Sequence, residues 1–248
     1  MSIIQDIYSV LWVDLRFLSR NWLKTLATTL VAPVLYLLAF GYGLGRGISV
    51  EGHSYLDFVI PGIVALTAMT TAFNAAGMKL HVDRLFYMCF EEALMSPISL
   101  FSIVVGKTLI GVLRGLMSTT ALMVACFFFS PLPSISPLFW LTLVVTCFVF
   151  SFLGVLVALI AKSHQDMSVF MSLVILPMSF LSGTFFSLNQ VPETLRVVLL
   201  ISPLTHASLC LRAAALGQPF PWSSLAVLLA FGLVFLLGCF AVLRRKSF

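Results

Sequence analysis

The chain is 248 residues long, 60% of its residues are hydrophobic, only 9% are charged, and its formal net charge is +5. A water-soluble fold needs a largely polar exterior, which this composition cannot supply. The composition therefore excludes a soluble globular protein and predicts an integral membrane protein, whose single domain covers residues 1–248 and leaves no room for a separate soluble domain.

The N-terminal segment, residues 1–22, is predicted to be an amphipathic helix that lies along the membrane interface. Asp6, Asp14, Arg16 and Arg20 interrupt any apolar run that a secretory signal would need. Apolar side chains recur every three or four positions, as on one face of a helix; they are Ile4, Ile7, Leu11, Leu15, Leu18 and Trp22. A simple membrane anchor is the alternative interpretation.

Six hydrophobic stretches are long enough to cross a hydrocarbon core of roughly 30 Å. They run approximately from Leu23 to Leu44, Phe58 to Met78, Ser102 to Phe129, Leu138 to Ala161, Val169 to Leu188 and Ser223 to Leu243. Six crossings place both termini on the same side of the membrane. The sequence therefore predicts an all-α membrane protein with six transmembrane helices.

The basic residues outside the third span predict which side that is. Nine of them fall on the side of the termini: Arg16, Arg20, Lys24, Lys79, Arg84, Lys162, Arg244, Arg245 and Lys246. Three fall on the other side: Arg46, Arg196 and Arg212. The positive-inside rule assigns the richer side, and with it both termini, to the cytoplasm. The positive net charge thus reflects topology, and nucleic-acid binding is not expected.

Between the second and third spans, residues 79–98 carry the densest group of charged side chains. Asp83 and Arg84 precede an aromatic cluster, Glu91 and Glu92 follow it, and Pro97 ends the helix before the next span. A short helix with exposed aromatic and acidic side chains is typical of a surface that docks a cytoplasmic partner. An ordinary polar loop is the alternative interpretation.

Arg114 lies near the middle of the third span, seven residues after Lys107 and on roughly the same helical face. A charge in hydrocarbon is costly unless it is paired or hydrated, so such residues usually face a bundle interior or a water-filled path. Gly111 and Gly115 flank it in a GxxxG pattern that permits close helix approach. The pattern leaves two interpretations open, a translocation pathway or helix packing.

The apolar segment from Leu173 to Leu211 is interrupted by Asn-Gln, Pro-Glu and Ser-Pro pairs. Backbone groups in hydrocarbon must be paired internally, so broken backbone survives only where protein shelters it or water reaches it. A simple spanning helix does not need these breaks. The segment is therefore a candidate working part of the protein.

Motifs of catalysis and of nucleotide or metal binding are missing from the sequence. Gly106-Lys107-Thr108 resembles the end of a phosphate-binding loop, but Phe101 stands where that loop needs glycine. The four histidines lack metal-ligand spacing, and the five cysteines form no CxxC pair. The chain is therefore not expected to be an enzyme or to bind a metal or cofactor itself.

Several segments together resemble a known family, the membrane subunits of type 2 ABC exporters, which include permeases for nodulation factors, anthracycline drugs and polysaccharides. The resemblance extends over essentially the whole chain. Its most specific parts are FVIPG at 58–62, EEALMSPI at 91–98, PMSFLSGTFFS at 177–187, VP at 191–192 and SPLT at 202–205.

This resemblance implies roles for particular residues. Residues 1–22 would be the interfacial connecting helix, and 79–98 the coupling helix that docks on an ATPase. The coupling residues would be Asp83, Arg84, Phe90, Glu91, Glu92 and Met95. Residues 189–217 would form two short re-entrant helices that cap the exit on the outer side. The residues of this re-entrant cap would be Pro177, Ser182, Gly183, Pro192, Ser202 and Pro203.

It also implies partners. This chain would pair with either a second copy of itself or a homologous permease in a bacterial or archaeal cytoplasmic membrane. Two cytoplasmic ABC ATPase subunits, which bind the ATP and Mg, would drive the pair. One departure from the family pattern is the apolar run Tyr87-Met88-Cys89-Phe90 before the acidic pair, which makes the coupling surface more apolar than in many relatives.

The cargo is expected to be an amphiphile, such as a lipid, a glycolipid or a hydrophobic drug, because few polar residues could line a hydrated tunnel. Two other functions stay open at this point. A six-span protein-translocation subunit would also lack catalytic motifs, but it should present a polar groove for a peptide. An ion channel or proton-coupled carrier usually needs acidic residues inside its spans.

Overall fold

Helices account for nearly all of the structure in a computed structural model, which describes residues 3–44, 49–50, 52–88, 90, 92, 95–96, 98–127, 136–187 and 191–246. The α-helices are α1 Ile3–Tyr36, α2 Tyr55–Phe73, α3 Lys79–Leu85, α4 Leu100–Phe127, α5 Pro137–Ile160, α6 His164–Phe170, α7 Leu176–Leu181, α8 Glu193–Leu200, α9 Pro203–Leu216 and α10 Trp222–Lys246. Three π-helical segments, Leu37–Leu44, Asn74–Met78 and Met171–Ile175, extend α1, join α2 to α3 and join α6 to α7.

Five helical segments of the described chain are long and apolar enough to cross a membrane. They are Ile3–Phe40, Tyr55–Leu85, Leu100–Phe127, Pro137–Ile160 and Trp222–Arg245. The predicted fifth span is built differently, because the helical run His164–Leu181 begins with three polar residues and contains a π-helical segment. An all-α membrane architecture is thus supported, and the count of six spans stays a prediction.

The first helix continues through the predicted boundary between the interfacial segment and the first span. Asn21 is its one residue with non-helical dihedral angles (φ −121°, ψ 17°), next to the predicted boundary after Trp22. Ile4 and Trp22 expose their side chains, whereas Asp6 and Asp14 are buried against the bundle. The exposed apolar face fits a helix in contact with lipid, and the interfacial position of residues 1–22 stays a prediction.

Helix α2 forms the centre of the bundle. Nearly all its side chains from Phe58 to Phe73 are buried, and they pack against α4, α5 and α9. Backbones approach closely where α5 crosses the π-helical segment Asn74–Met78 after α2, since a Cβ atom on Gly77 would lie 2.8 Å from the carbonyl oxygen of Gly154. Small residues permit such contacts between membrane helices. The segment Tyr55–Leu85 is 31 residues long, and at 1.5 Å per residue it reaches about 46 Å from one end of the bundle to the other.

Two short helices occupy most of the segment that was predicted to be re-entrant. Helix α8 has 8 residues and follows Pro192, and α9 has 14 residues and begins at Pro203. Their lengths of about 12 Å and about 21 Å are too short to cross the hydrocarbon core. Residues 189–190 lie outside the described residues, and entry of these helices into the membrane stays a prediction.

A small hairpin precedes α2 and was not predicted from the sequence. Ser49–Val50 pairs antiparallel with His53–Ser54, and Gly52 has a positive φ of 80° in the turn between them. Each strand has only two residues, so the hairpin is a local feature of the connection and leaves the helical architecture unchanged.

Candidate functional site

A cluster of two aspartates and two lysines joins α1, α3 and α4 at one end of the bundle. The Lys107 ammonium nitrogen lies 2.9 Å from an Asp14 carboxylate oxygen and 2.7 Å from one of Asp83. Lys79 lies 2.8 Å from the second Asp83 oxygen and 3.9 Å from the second Asp14 oxygen. The four formal charges cancel, and each lysine bridges both carboxylates.

The cluster is largely shielded from solvent. The side chains of Asp14, Asp83 and Lys107 are 2%, 10% and 13% exposed, whereas that of Lys79 is 33% exposed. Removal of one partner from a buried ion pair leaves an uncompensated charge, which is strongly destabilising. These contacts therefore hold the N-terminal helix against the cytoplasm-facing ends predicted for the second and third spans.

Asp83, which was predicted to be a coupling residue for an ATPase, belongs to this cluster. Its carboxylate points into the bundle toward two lysines, so its contacts are internal. The roles of Asp14, Lys79 and Lys107 were not predicted from the sequence, although two signals existed. Lys79 and Asp83 have the i,i+4 spacing of a helical ion pair, and a lysine inside a span requires a partner.

Arg84, the second predicted coupling residue, is tied to the end of α5. Its guanidinium donates hydrogen bonds to the carbonyl oxygens of Ala158 at 2.5 Å, Leu159 at 2.7 Å and Ala161 at 2.7 Å. The last carbonyls of a helix lack intrahelical partners and carry partial negative charge, so a cation there is favourable. Arg84 thus connects α3, and the segment that follows it, to α5.

The turn after α5 is held by Asp166. Its carboxylate accepts hydrogen bonds from the backbone N–H groups of Lys162 at 2.9 Å and Ser163 at 3.1 Å. These hydrogen bonds, that of Lys162 first, favour the charged form and hold the pKa of Asp166 below its ordinary value. The Ser163 hydroxyl in turn accepts from the Asp166 N–H, which completes a capping box at the start of α6.

The remaining coupling residues divide between the interior and the surface. Phe90 is buried, whereas Glu92 is exposed and Met95 is 87% exposed. The side chains of Phe86, Tyr87 and Met88 are also exposed. Glu91 and Pro97 lie outside the described residues. An acidic and apolar surface therefore follows α3 directly.

Arg114 lines a polar pocket of about 270 Å³ between α1, the α2 region and α4. Its Nε atom is buried without a hydrogen-bond partner, and it forms no ion pair within the described part of the chain. The other lining residues are mostly hydroxyl-bearing: Thr25, Thr28, Thr29, Thr70, Thr71, Asn74, Ala75 and Ser118. The pocket is therefore a polar site between helices that are predicted to span the membrane.

Gly111 and Gly115 serve helix packing on another side of α4. A Cβ atom on Gly111 would lie 2.8 Å from the carbonyl oxygen of Ala72 and would overlap the Ser151 hydroxyl. One on Gly115 would lie 2.8 Å from the Cys147 sulfur. The three residues predicted together thus separate: the glycines contact α2 and α5, and Arg114 lines the pocket.

A second, more apolar pocket of about 340 Å³ adjoins the first and shares Thr29, Thr70 and Asn74 with it. Its other lining residues come from α1, α2 and the α6–α7 region: Ala32, Pro33, Tyr36, Leu66, Thr67, Met171, Ser172, Ile175, Leu176 and Ser179. The two pockets together form a groove with a polar end at Arg114 and an apolar end near Leu176.

At the opposite end of the bundle, Arg212 holds α9 to the start of α2. Its guanidinium donates hydrogen bonds to the carbonyl oxygens of Phe58 at 3.1 Å and Gly183 at 3.0 Å, and it lies 3.8 Å from the centre of the Phe58 ring. Arg212 is buried. The sequence predicted only a basic residue on the outer side at this position, although an arginine within an apolar helix was a signal for a structural role.

The predicted cap residues meet beside Arg212. The Ser182 and Ser202 hydroxyls are 3.1 Å apart, and the Ser208 hydroxyl donates to the Ser182 carbonyl at 3.2 Å. Gly183 has a φ of 67°, a left-handed conformation that glycine adopts without strain. Pro177, Pro192 and Pro203 lie at the starts of α7, α8 and α9.

No three His, Cys, Asp or Glu side chains within the described ranges lie close enough together to hold a metal ion. The described residues differ in charge and shape from one end of the bundle to the other. One end presents an acidic and apolar surface, the middle presents a groove that runs from polar to apolar, and the other end carries two short helices held by Arg212.

Comparisons with known proteins agree with this architecture. The family model described as ABC-2 type transporter matches residues 5–216. The inner membrane transport permease YadH of Escherichia coli (strain K12) is 30% identical over 91% of this chain and 90% of its own length. Nodulation protein J of Rhizobium meliloti (strain 1021) is 29% identical over 90% of this chain and 87% of its own length. The chain therefore belongs to the ABC-2 type transporter family and is a membrane transport protein, as its sequence motifs predicted.

Proposed function

We propose that this chain is the membrane subunit of an ATP-driven exporter that moves an amphiphile outward across a bacterial cytoplasmic membrane. The observation that carries the proposal is the groove between α1, α2, α4 and the α6–α7 region, whose polar end at Arg114 continues into an apolar end. Such a groove suits a molecule with a polar head and an apolar tail. Membership of the ABC-2 type transporter family favours this function over a protein-translocation subunit or an ion-coupled carrier.

The cytoplasmic side follows from charge. Nine basic residues flank the end that carries both termini and the acidic segment around Glu92, against three at the other end. The positive-inside rule assigns the first end to the cytoplasm. The name of the Escherichia coli relative, an inner membrane transport permease, supports the same membrane for this chain.

The energy would enter from two separate ABC ATPases, which bind ATP and Mg. The exposed residues Phe86, Tyr87, Glu92 and Met95 would form the docking surface for one of them. This surface directly follows α3, where Lys79 and Asp83 contact α1 and α4. A displacement of the surface would therefore move three helices together. Nucleotide can shift the permease between two states only if the ATPase binds those states with different affinity.

A second copy of the chain, or a homologous permease, would complete the pathway. Only 11% of the apolar part of Ile3–Phe40 is buried within the chain, although α1 forms one wall of the groove. A partner related by two-fold symmetry could bring the same surface to face it and enclose the groove. The helices α8 and α9 would then cap the outer exit.

Charge reversal on the docking surface provides the test of coupling. We expect Glu92→Lys to weaken binding of the cognate ABC ATPase about tenfold. The docking role of Glu92 implies a basic surface on the ATPase, which a lysine at this position would repel. The variant should fold normally, since Glu92 is exposed. The measurement is co-purification of the ATPase with the permease, together with the ATPase activity of the reconstituted complex.

Glu193→Lys is the matched control, since Glu193 is equally an exposed glutamate but lies at the opposite end of the bundle. It should assemble like the wild type. Equal assembly and equal ATPase activity in both variants would contradict the docking role of Glu92. The double variant Glu91→Lys/Glu92→Lys extends the test to the predicted acidic pair.

A further inference from the structure

Arg114 forms no ion pair with a carboxylate in the described part of the chain, and Asp14, which interacts with it electrostatically, already pairs with Lys107. The aspartates on neighbouring helices, Asp14 and Asp83, are each paired with Lys79 and Lys107, and that cluster is neutral. The Arg114 guanidinium stays protonated at any physiological pH. Its Nε atom is buried without a partner. A charge in this position is costly unless something from outside the chain compensates it.

The hydroxyl groups around Arg114 act mainly as acceptors. Thr28, Thr29 and Thr70 donate their hydroxyl hydrogens to carbonyl oxygens one turn earlier in their own helices, at 2.8–2.9 Å. Their oxygen lone pairs remain available to donors on a ligand. The groups in the pocket that can donate to an anion include the Arg114 guanidinium, the Asn74 amide, and the hydroxyls of Thr25 and Ser118.

Asn74 also links the two halves of the groove. It lines both pockets, and it begins the π-helical segment Asn74–Met78. Single-turn π segments within α-helices occur frequently at functional sites. Beyond Asn74 the lining becomes apolar, with Leu66, Ile175 and Leu176. A ligand with its acidic group at Arg114 would thus extend its apolar part toward Leu176.

We propose that this groove selects acidic amphiphiles: a phosphate, sulfate or carboxylate head group pairs with Arg114 and Asn74, and the apolar tail lies in the adjoining pocket. The inference rests on the proposed function, because it assigns the cargo class of the same groove. Guanidinium binds oxyanions through paired N–H donors, which a lysine ammonium at this position could not reproduce. Hydroxyl groups on the head would add hydrogen bonds to the threonine oxygens.

Equilibrium binding to the purified chain in phosphatidylcholine nanodiscs tests this inference without an ATPase. The probes are labelled dodecyl phosphate and dodecyl maltoside, which share one tail and differ in head-group charge. We expect the wild type to prefer dodecyl phosphate. Arg114→Gln should bind dodecyl phosphate at least about tenfold more weakly, since it loses a charge-assisted pair, and its binding of dodecyl maltoside should not change.

Two further variants complete the experiment. Arg114→Lys keeps the charge and should show an intermediate affinity for dodecyl phosphate. Arg20→Gln removes an exposed arginine from α1 and should bind both probes like the wild type. Unchanged dodecyl phosphate binding in Arg114→Gln would overturn the inference. Equal losses for both probes in Arg114→Gln and Arg114→Lys would overturn it as well, because the head group would then not be recognised.

Nanodiscs that contain phosphatidylglycerol distinguish a bilayer lipid from a free amphiphile as the source of the head group. If an acidic bilayer lipid occupies the site, it should weaken dodecyl phosphate binding to the wild type and have no effect on Arg114→Gln. If only free amphiphiles enter, wild-type binding should be the same in both nanodiscs. Either result supports recognition of an acidic head group. A failure of ATPase docking would leave all of these affinities unchanged, so the two proposals fail separately.

Discussion

Replacement of Lys107 by methionine is expected to lower the free energy of unfolding of the permease by about 3–5 kcal/mol. The ammonium group lies 2.9 Å from Asp14 and 2.7 Å from Asp83, and its side chain is only 13% exposed. Without it, two buried carboxylates face each other with Lys79 as their shared counterion. Thermal and denaturant unfolding of the purified chain in detergent would measure the loss.

Lys79→Met is the matched control, because it removes the other lysine of the same cluster. Its side chain is 33% exposed, and its distance to Asp14 is 3.9 Å, so water can compensate more of the loss and a smaller destabilisation is expected. Asp14→Asn combined with Lys107→Met should destabilise by less than the sum of the single changes. A Lys107→Met variant as stable as Lys79→Met would contradict the central position of Lys107.

Arg212→Met is expected to destabilise the chain by about 2–4 kcal/mol, because it leaves the buried carbonyl groups of Phe58 and Gly183 without their donor. Arg212→Lys should recover little, since one ammonium cannot reproduce the fork geometry of guanidinium. Because Arg212 holds α9 to α2, the outer helices should loosen. Unfolding of the purified variants would measure the change.

The Arg212→Met variant also tests whether the two ends of the bundle have different functions. We expect Arg212→Met to impair release of cargo and to leave binding of the ATPase intact, because its contacts lie far from the docking surface. Arg196→Met is the control, as it removes an exposed arginine from neighbouring α8. Loss of ATPase binding in Arg212→Met, or an equal transport defect in both variants, would contradict a cap function.

Local sequence patterns predicted most of the helical architecture. The predicted third, fourth and sixth spans agree within two residues with Leu100–Phe127, Pro137–Ile160 and Trp222–Arg245. The predicted second span, Phe58 to Met78, lies inside the longer segment Tyr55–Leu85. Length and uninterrupted hydrophobicity determine such helices, and both are visible in a single sequence. The segment His164–Leu181 was harder to predict, because no periodic pattern in the sequence marks its π-helical turn Met171–Ile175.

Contacts between distant residues could not be predicted in the same way. Lys107 and Asp14 are 93 positions apart, and Arg212 and Phe58 are 154 apart. No periodic pattern connects such pairs, so the internal cluster around Asp83 could not be predicted. The family resemblance implied a docking role for Asp83 instead. The sequence did indicate that Arg114 faces a bundle interior or a pathway. Its pocket, however, is built from threonines on two other segments that only the fold brings together.

Export through this chain is expected to depend on separate ATPases. An untargeted mass-spectrometric comparison of secreted and cell-bound lipids and metabolites tests it most directly. The strains are the parent, one that lacks the permease, and one whose cognate ABC ATPase cannot hydrolyse ATP. We predict that the same acidic amphiphile disappears from the outside and accumulates inside the cell in both altered strains. Unchanged export of all compounds in the ATPase-deficient strain, with loss of export only in the strain that lacks the permease, would contradict the account.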